Sequence, residues 1–259
     1  MDEAHRYYAP ASMKAINFLK PVLGLEFTAT PKSANNVIYA YDLARGAVEG
    51  YLKTPVVMGR SNMAGYSSED IEEMKIRDGL TLHEHRKGVI RQFCGDNALP
   101  YVKPIVLIAC RDTNHAKEVR ALIDSDSFLG GKYKGKVIEI HSNMKGDESE
   151  ENIRLLLSIE NAQNPVEIVL HVYKLKEGWD VNNLFTIIPL NAAKSDILAM
   201  QTIGRGLRLP FGRATGNEDI DTLDIVAHDH YRELVDEIKT VTFLNIVTWI
   251  KQWSSLRIP

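Results

Sequence analysis

Two arginines one helical turn apart carry the sharpest chemical signal in this 259-residue chain. Gln201, Gly204, Arg205 and Arg208 fall at i, i+3, i+4 and i+7, which puts them on one stripe of a helix. Met200, Ile203 and Leu207 fall on another stripe, suited to face a sheet. Guanidinium forks match phosphate oxygens and developing negative charge. A solvated basic face would account for the arginines. It would not account for Gly204 and Gly206, since glycine in a helix interior costs about 1 kcal/mol relative to alanine. Those glycines predict close approach of a partner. Near the other end stands Asp2-Glu3-Ala4-His5. One of two adjacent carboxylates can hold Mg2+ through its waters while the other orients or deprotonates an attacking water. A frayed acidic terminus is the plain alternative. Phe27-Thr28-Ala29-Thr30-Pro31 ends an apolar run in two hydroxyls.

The elements that must position these groups follow from periodicity. Ile105 to Cys110 is a continuous apolar run, as a strand buried on both faces requires. Further strands are expected at Lys136–His141, Val166–Tyr173, Leu184–Leu190 and Leu223–His228. Helices are expected at His115–Asp124, Asp147–Glu160, Ser195–Leu209 and Asp229–Lys239. Strand and helix alternating at this spacing imply an α/β fold, a parallel sheet with helices on both faces. Earlier, Val22–Thr28 and Val37–Tyr41 look like strands, and Arg60–Thr81 reads as a loop with a charged surface helix. Open parallel sheets place ligands beyond the carboxyl ends of their strands. Three such ends are polar: Arg111-Asp112-Thr113-Asn114, His141-Ser142-Asn143 and Lys174 to Asp180. They suggest a surface that grips a phosphate backbone, although any one of them could be a solvated turn.

Composition narrows the field. With 31 Lys+Arg against 34 Asp+Glu the net charge is -3, which excludes a histone-like blanket of positive charge but not a local basic patch. At 44% hydrophobic and 25% charged the chain is not disordered. No apolar run spans a bilayer, and the acidic start is not a signal peptide. Two cysteines make neither a disulfide framework nor a zinc ribbon, so a reducing, cytoplasmic setting is the expectation.

Taken together these segments resemble the superfamily 2 helicases and translocases. Asp2-Glu3-Ala4-His5 looks like motif II, Thr28-Ala29-Thr30 like motif III, Val106–Arg111 like motif IV, Lys176-Glu177-Gly178-Trp179-Asp180-Val181 like motif V and Gln201–Arg208 like motif VI. The wording of the last two is most similar to the restriction (Res) subunits of type III restriction enzymes. The resemblance implies a complete second RecA-like lobe, the helicase C-terminal lobe, and a partial first one. It implies ATP and Mg2+ as cofactors and DNA as a partner, with ATP bound between lobes. Asp2 would bind Mg2+, and Glu3 would position the water that attacks the γ-phosphate. Thr28 and Thr30 would couple nucleotide to DNA, and Arg111, His141 and Ser142 would contact DNA. Gly178, Asp180, Gln201, Arg205 and Arg208 would face the nucleotide, with Arg208 the arginine finger. A modification (methyltransferase) subunit is a further implied partner, and a membrane is not.

The departures shape the expectation as much. No P-loop of the form G-x-x-x-x-G-K-S/T is present. Gly130-Gly131-Lys132-Tyr133-Lys134-Gly135-Lys136-Val137 comes nearest, but Val137 lacks the hydroxyl and the segment leads into a strand, not a helix. Glu237-Ile238-Lys239 has nuclease letters on a helical pattern. His83-Glu84-His85 and His228-Asp229-His230 read as surface histidines rather than a metal site, because i and i+2 do not share a helix face. The expected division is residues 1–45 as a remnant of the first lobe, 46–104 as a connection, 105–240 as the second lobe and 241–259 as an extension. The function read from this is the motor portion of an ATP-dependent DNA translocase or helicase, without its own P-loop or nuclease and inactive alone. The alternative is a non-enzymatic nucleic-acid or partner-binding module derived from a helicase lobe.

Overall fold

Where the apolar run has no polar interruption, the backbone forms a strand with every residue buried. That strand, β2 (Ile105–Cys110), is the centre of a six-stranded sheet. The other strands are β1 (Thr54–Met58), β3 (Val137–Ile140), β4 (Ile168–Val172), β5 (Leu184–Pro189) and β6 (Thr222–Val226). Their order is β1-β6-β5-β2-β4-β3, and every neighbouring pair is parallel. The computed structural model describes residues 1–2, 4, 7–28, 36–41, 43–60, 65–141, 147–172, 179–190 and 202–226. The chain divides into two compact units, Met1–Asp42 and Leu43–Pro259. No described helix is long and apolar enough to cross a membrane.

Side chains alternate across the sheet with the period of two that a pleated strand imposes. Ile105 and Leu107 of β2 join one core, with Ile138 and Ile140 of β3, Val169 of β4, and Leu223 and Ile225 of β6. Val106, Ile108 and Cys110 join the opposite core, with Ile168, Leu170 and Val172. The first core is covered by α5 (Asp147–Leu157) and by Ile203 and Leu207. The second is covered by α3 (Ser68–Asp96) and α4 (Thr113–Ile123). Each large apolar side chain so buried contributes about 1.5–3 kcal/mol.

The helix α3 is far longer than the charged surface helix expected before Thr81. A capping box starts it: the Ser67 hydroxyl accepts from the Asp70 amide at 3.1 Å, and the Asp70 carboxylate accepts from the Ser67 amide at 3.3 Å. Its buried stripe runs through Ile76, Gly79, Leu80, His83, Arg86, Ile90 and Cys94. A Cβ on Gly79 would lie 2.4 Å from Ile188 Cδ1, so the glycine lets α3 sit directly on β5. With β1 at one sheet edge, residues of the expected connection belong to the sheet and its cover.

In the first unit, α1 (Pro10–Phe18) opens with proline at its first position and buries none of its residues. Three main-chain hydrogen bonds join Met1 and Ala4 to Leu25 and Phe27: Met1 amine to Leu25 (2.6 Å), Phe27 amide to Met1 (2.8 Å) and Ala4 amide to Phe27 (3.1 Å). The strands expected at Val22–Thr28 and Val37–Tyr41 do not form. Their apolar side chains stay exposed, Val22, Ile38 and Phe27 among them. A strand needs a neighbour to satisfy its amides and a face to bury its side chains. Among the described residues neither segment has both.

Candidate functional site

Residues 202–206 form a helix whose apolar stripe behaves as its spacing requires. Ile203 and Leu207 are buried beside Trp179, Leu223 and Ile225. Gly206 is needed for that contact, since a Cβ there would lie 2.6 Å from Leu223 Cδ1. The close approach predicted by the glycine is therefore to the molecule's own core, while Gly204 meets nothing within 4 Å. The helix ends at Gly206, short of the Leu209 expected, so Arg208 is not on it but follows in a bridge to Leu52, and Arg205 and Arg208 both turn toward residues 179–180. Arg205 Nη1 donates to the Trp179 carbonyl. Arg208 Nε lies 2.5 Å from Asp180 Oδ1, in a pair whose side chains are 45% and 56% exposed. The two sequence-predicted segments thus meet, with the Arg208 guanidinium half in solvent.

A residue that sequence reasoning missed holds both arms of this pair. Lys53 is completely buried. Its amide donates to the Leu207 carbonyl at 2.6 Å, and Leu52 bridges Arg208. Its ammonium donates to the carbonyls of Leu184 (2.7 Å) and Asn182 (3.3 Å) and lies 3.9 Å from the Phe185 ring centroid. Burial, then the nearby Arg86 charge, lowers its pKa well below the usual lysine value. A lone lysine at the head of a short apolar run gives no sequence signal of such a role.

These contacts correct the expected placement. Lys53 immediately precedes β1, and Asp180 precedes β5, so the Asp180–Arg208 pair lies toward the amino ends of those strands rather than beyond their carboxyl ends. Arg111 and His141 follow β2 and β3 directly and do lie at the carboxyl edge. A five-residue strand separates the two edges by roughly 15–20 Å. The residues expected at nucleotide and those expected at DNA therefore form two groups. Arg111 pairs with Glu72 of α3. His141 is half-buried, and its Nδ1 is buried without a hydrogen bond. In the first unit Asp2 is exposed and Thr28 half-buried, near the residue 25–27 pairing. Glu3, Thr30, Ser142, Gly178 and Gln201 lie outside the described residues, as do His228–His230.

His171, on β4, was also missed. It is buried on the face covered by residues 202–206, and neither ring nitrogen has a hydrogen bond. Burial, then the Arg205 charge, lowers its pKa to about 4. Burial lowers His83 in the same direction. A native imidazole that stays neutral while the unfolded one titrates near 6.5 means the unfolded chain takes up the proton first. Stability from His171 is thus full above pH 6.5 and is lost as pH falls toward 4, by up to about 3 kcal/mol. Chemical denaturation followed between pH 7 and 4 should show this slope, and His171→Leu should flatten it. An unchanged slope in the variant would refute the assignment.

Two other candidate sites are filled by the protein itself. His83, Glu84 and Glu167 bring three ligand atoms within 4.8 Å of one another. Lys87 Nζ stands between the carboxylates, 3.0 Å from Glu84 and 2.8 Å from Glu167, with Lys136 2.8 Å from Glu167 and Lys132 2.7 Å from Glu84. Burial alone would raise Glu84, but hydrogen bonds from Lys132, Tyr133 and Lys87 outweigh it and draw the pKa down to about 2. The ammonium groups occupy the role of a cation. His83 is fully buried, held by Glu167, and so is not the surface histidine expected, whereas the His85 side chain is 59% exposed and the two do face apart. The P-loop-like segment supplies Lys132, Lys134 and Lys136, each already paired with Glu84, Asp126 or Glu167. It leads into β3, so its amides do not form a helix-terminal phosphate cradle.

No family model matches the chain. Among curated proteins it is 38% identical over 107 residues to the EcoPI Res subunit of a type III restriction-modification enzyme from Escherichia phage P1, covering 39% of this chain and 10% of that protein. It is 38% identical over 73 residues to the EcoP15I Res subunit from Escherichia coli, covering 26% of this chain and 7% of that protein. The chain thus spans a tenth or less of the length of these relatives. Among solved structures, an HsdR subunit fragment of a type I restriction enzyme from Vibrio vulnificus YJ016 matches with TM-score 0.55 at 18% identity, over 84% of this chain and 42% of that one. Dbp5 of S. cerevisiae bound to RNA and ADP BeF3 matches with TM-score 0.51 at 13% identity, over 92% and 55%. The chain is similar to type III Res subunits over part of its length and has the α/β RecA-like fold.

Proposed function

We propose that this chain is the motor portion of an ATP-dependent DNA translocase or helicase of the type III Res kind. The observation that carries the reading is the Asp180–Arg208 pair. Segments that resemble motifs V and VI meet there, and the bridge that follows the sheet-backed helix presents a half-exposed guanidinium. A guanidinium held through one N–H keeps further donors for an anion, which fits a triphosphate. Bound Mg-ATP would supply the phosphoanhydride whose hydrolysis drives movement. Arg205 and Arg208 would neutralise charge that develops on the phosphates, with Asp180 setting the approach of Arg208. Gly178 and Gln201 would flank them. In the first unit Asp2 would hold Mg2+, Glu3 would orient the water, and Thr28 and Thr30 would couple that site to DNA. Arg111, His141 and Ser142 would touch the DNA backbone. The P-loop would come from further polypeptide, and a modification (methyltransferase) subunit is a second proposed partner.

The Gly130–Val137 segment, whose lysines are each paired with a carboxylate, favours one rival, a nucleic-acid-binding module without turnover. The purified chain tests both readings. It should bind duplex DNA with an affinity that falls steeply with salt, and it should not hydrolyse ATP. ATP hydrolysis stimulated by DNA and abolished by Glu3→Gln would overturn the proposal that the phosphate cradle lies elsewhere. Absence of DNA binding at low salt would count against both readings.

A further inference from the structure

At the carboxyl edge of β2, three residues from three places close a ring of hydrogen bonds. The Arg111 amide donates to His115 Nδ1 at 3.1 Å. Accepting there, the ring must carry its proton on Nε2, which donates to Glu72 Oε2 at 3.0 Å. Glu72 Oε1 in turn accepts from Arg111 Nη1. The chain of bonds leaves Arg111 through its backbone and returns to it through its side chain. The anchors are more enclosed than the group they hold, with side chains of His115, Glu72 and Arg111 5%, 19% and 51% exposed. Asp112 fixes the His115 backbone, accepting from the amides of Asn114 and His115 at 2.9 Å each. That cap also satisfies the first amides of α4, so the group offered to solvent is the guanidinium and not the helix terminus.

We propose that Glu72 and His115 are positioning residues that hold the Arg111 guanidinium at this edge as a docking point for a nucleic-acid phosphate. The inference rests on the DNA-binding reading above. An ordinary surface ion pair contributes little and leaves its arginine mobile. Here the side-chain freedom of Arg111 is spent on folding rather than on binding, which strengthens a later contact. One guanidinium N–H faces Glu72, and the others make no hydrogen bond among the described residues.

The sign of one mutational effect separates positioning from plain electrostatics. Removing a carboxylate beside a phosphate site should tighten DNA binding if only charge matters. Positioning predicts the reverse. Fluorescence anisotropy with a labelled duplex should show Arg111→Ala weakening affinity about fivefold to tenfold and lowering the log–log salt slope by about one. Glu72→Gln should weaken it about threefold despite the lost negative charge. Glu72→Asp keeps the charge and shortens the arm, so it should weaken binding as well. Asp126→Asn, at an exposed carboxylate paired with Lys134, controls for charge and should leave affinity equal or tighter. Circular dichroism melts confirm that each variant is folded. Unchanged or tighter binding in both Glu72 variants, or no effect of Arg111→Ala, overturns the inference. Sensitivity to Arg205 and Arg208 without sensitivity to Arg111 would overturn it and leave the DNA-binding reading standing. A wild-type chain that binds no DNA would end both.

Discussion

Arg208→Ala, in a polypeptide that joins this chain to a P-loop, is expected to lower the kcat of ATP hydrolysis by roughly 10³–10⁵, with DNA affinity changed less than about threefold. The asymmetry follows from where Arg208 sits. Its guanidinium is half exposed and tied to Asp180 toward the amino edge of the sheet. Arg111 and His141 lie at the opposite edge. Loss of a cation that meets developing phosphate charge removes transition-state stabilisation and little of the DNA contact. Arg208→Lys should recover only a small part, because an ammonium cannot reproduce a fork held by one N–H and offered through others. Asp180→Asn should give a smaller loss, since it frees the guanidinium without deleting it. Steady-state ATPase kinetics beside DNA binding measure the split. A parallel fall in DNA affinity and turnover would favour the binding-module rival.

The second large effect concerns stability. Asp224→Ala should cost about 3–5 kcal/mol and lower the thermal midpoint by roughly 10 °C or more. Asp224 lies on β6 and is 1% exposed, and Arg86 of α3 meets it with two bonds, Nε at 2.7 Å and Nη2 at 2.8 Å. Arg86 Nη1 also donates to the main-chain carbonyl and, at 2.9 Å, to the carboxylate of Asp219. Removing Asp224 strands a buried guanidinium with half its acceptors gone. An Arg86→Met/Asp224→Leu double substitution removes both charges and should recover most of the loss. Thermal melts of the three proteins decide it. A cost under about 1 kcal/mol for Asp224→Ala would mean that Arg86 regains water, and that the pair does not fasten α3 to the sheet.

Much of the second unit was legible because its rules are local. Ile105–Cys110 carries no polar residue, as a strand covered on both faces requires, and it is one. The spacing in the Gln201–Arg208 segment sorted inward from outward positions, and Ile203 and Leu207 are buried while Arg208 is exposed. The helix α3 escaped such reading. Gly79, His83 and Arg86 interrupt its buried stripe, and they qualify as core only through Ile188, Glu167 and Asp224. Those partners lie 80 or more residues further along the chain, and no local period contains them. Val22–Thr28 failed in the opposite way. It has the composition of a strand, but strand formation depends on neighbours that a local window cannot supply.

The sequence by itself determined the α/β class, five of the six strands, the inward stripe of Ile203 and Leu207, and the failure of Gly130–Val137 as a phosphate cradle. Each is set by side-chain type within a turn or two of backbone. Tertiary structure alone decided that Arg208 meets Asp180, that Lys53 clamps both arms of that pair, that Glu72 and His115 hold Arg111, and that the two groups occupy opposite edges of one sheet. Those contacts join residues distant in sequence, and they exist only once six parallel strands bring their ends into register.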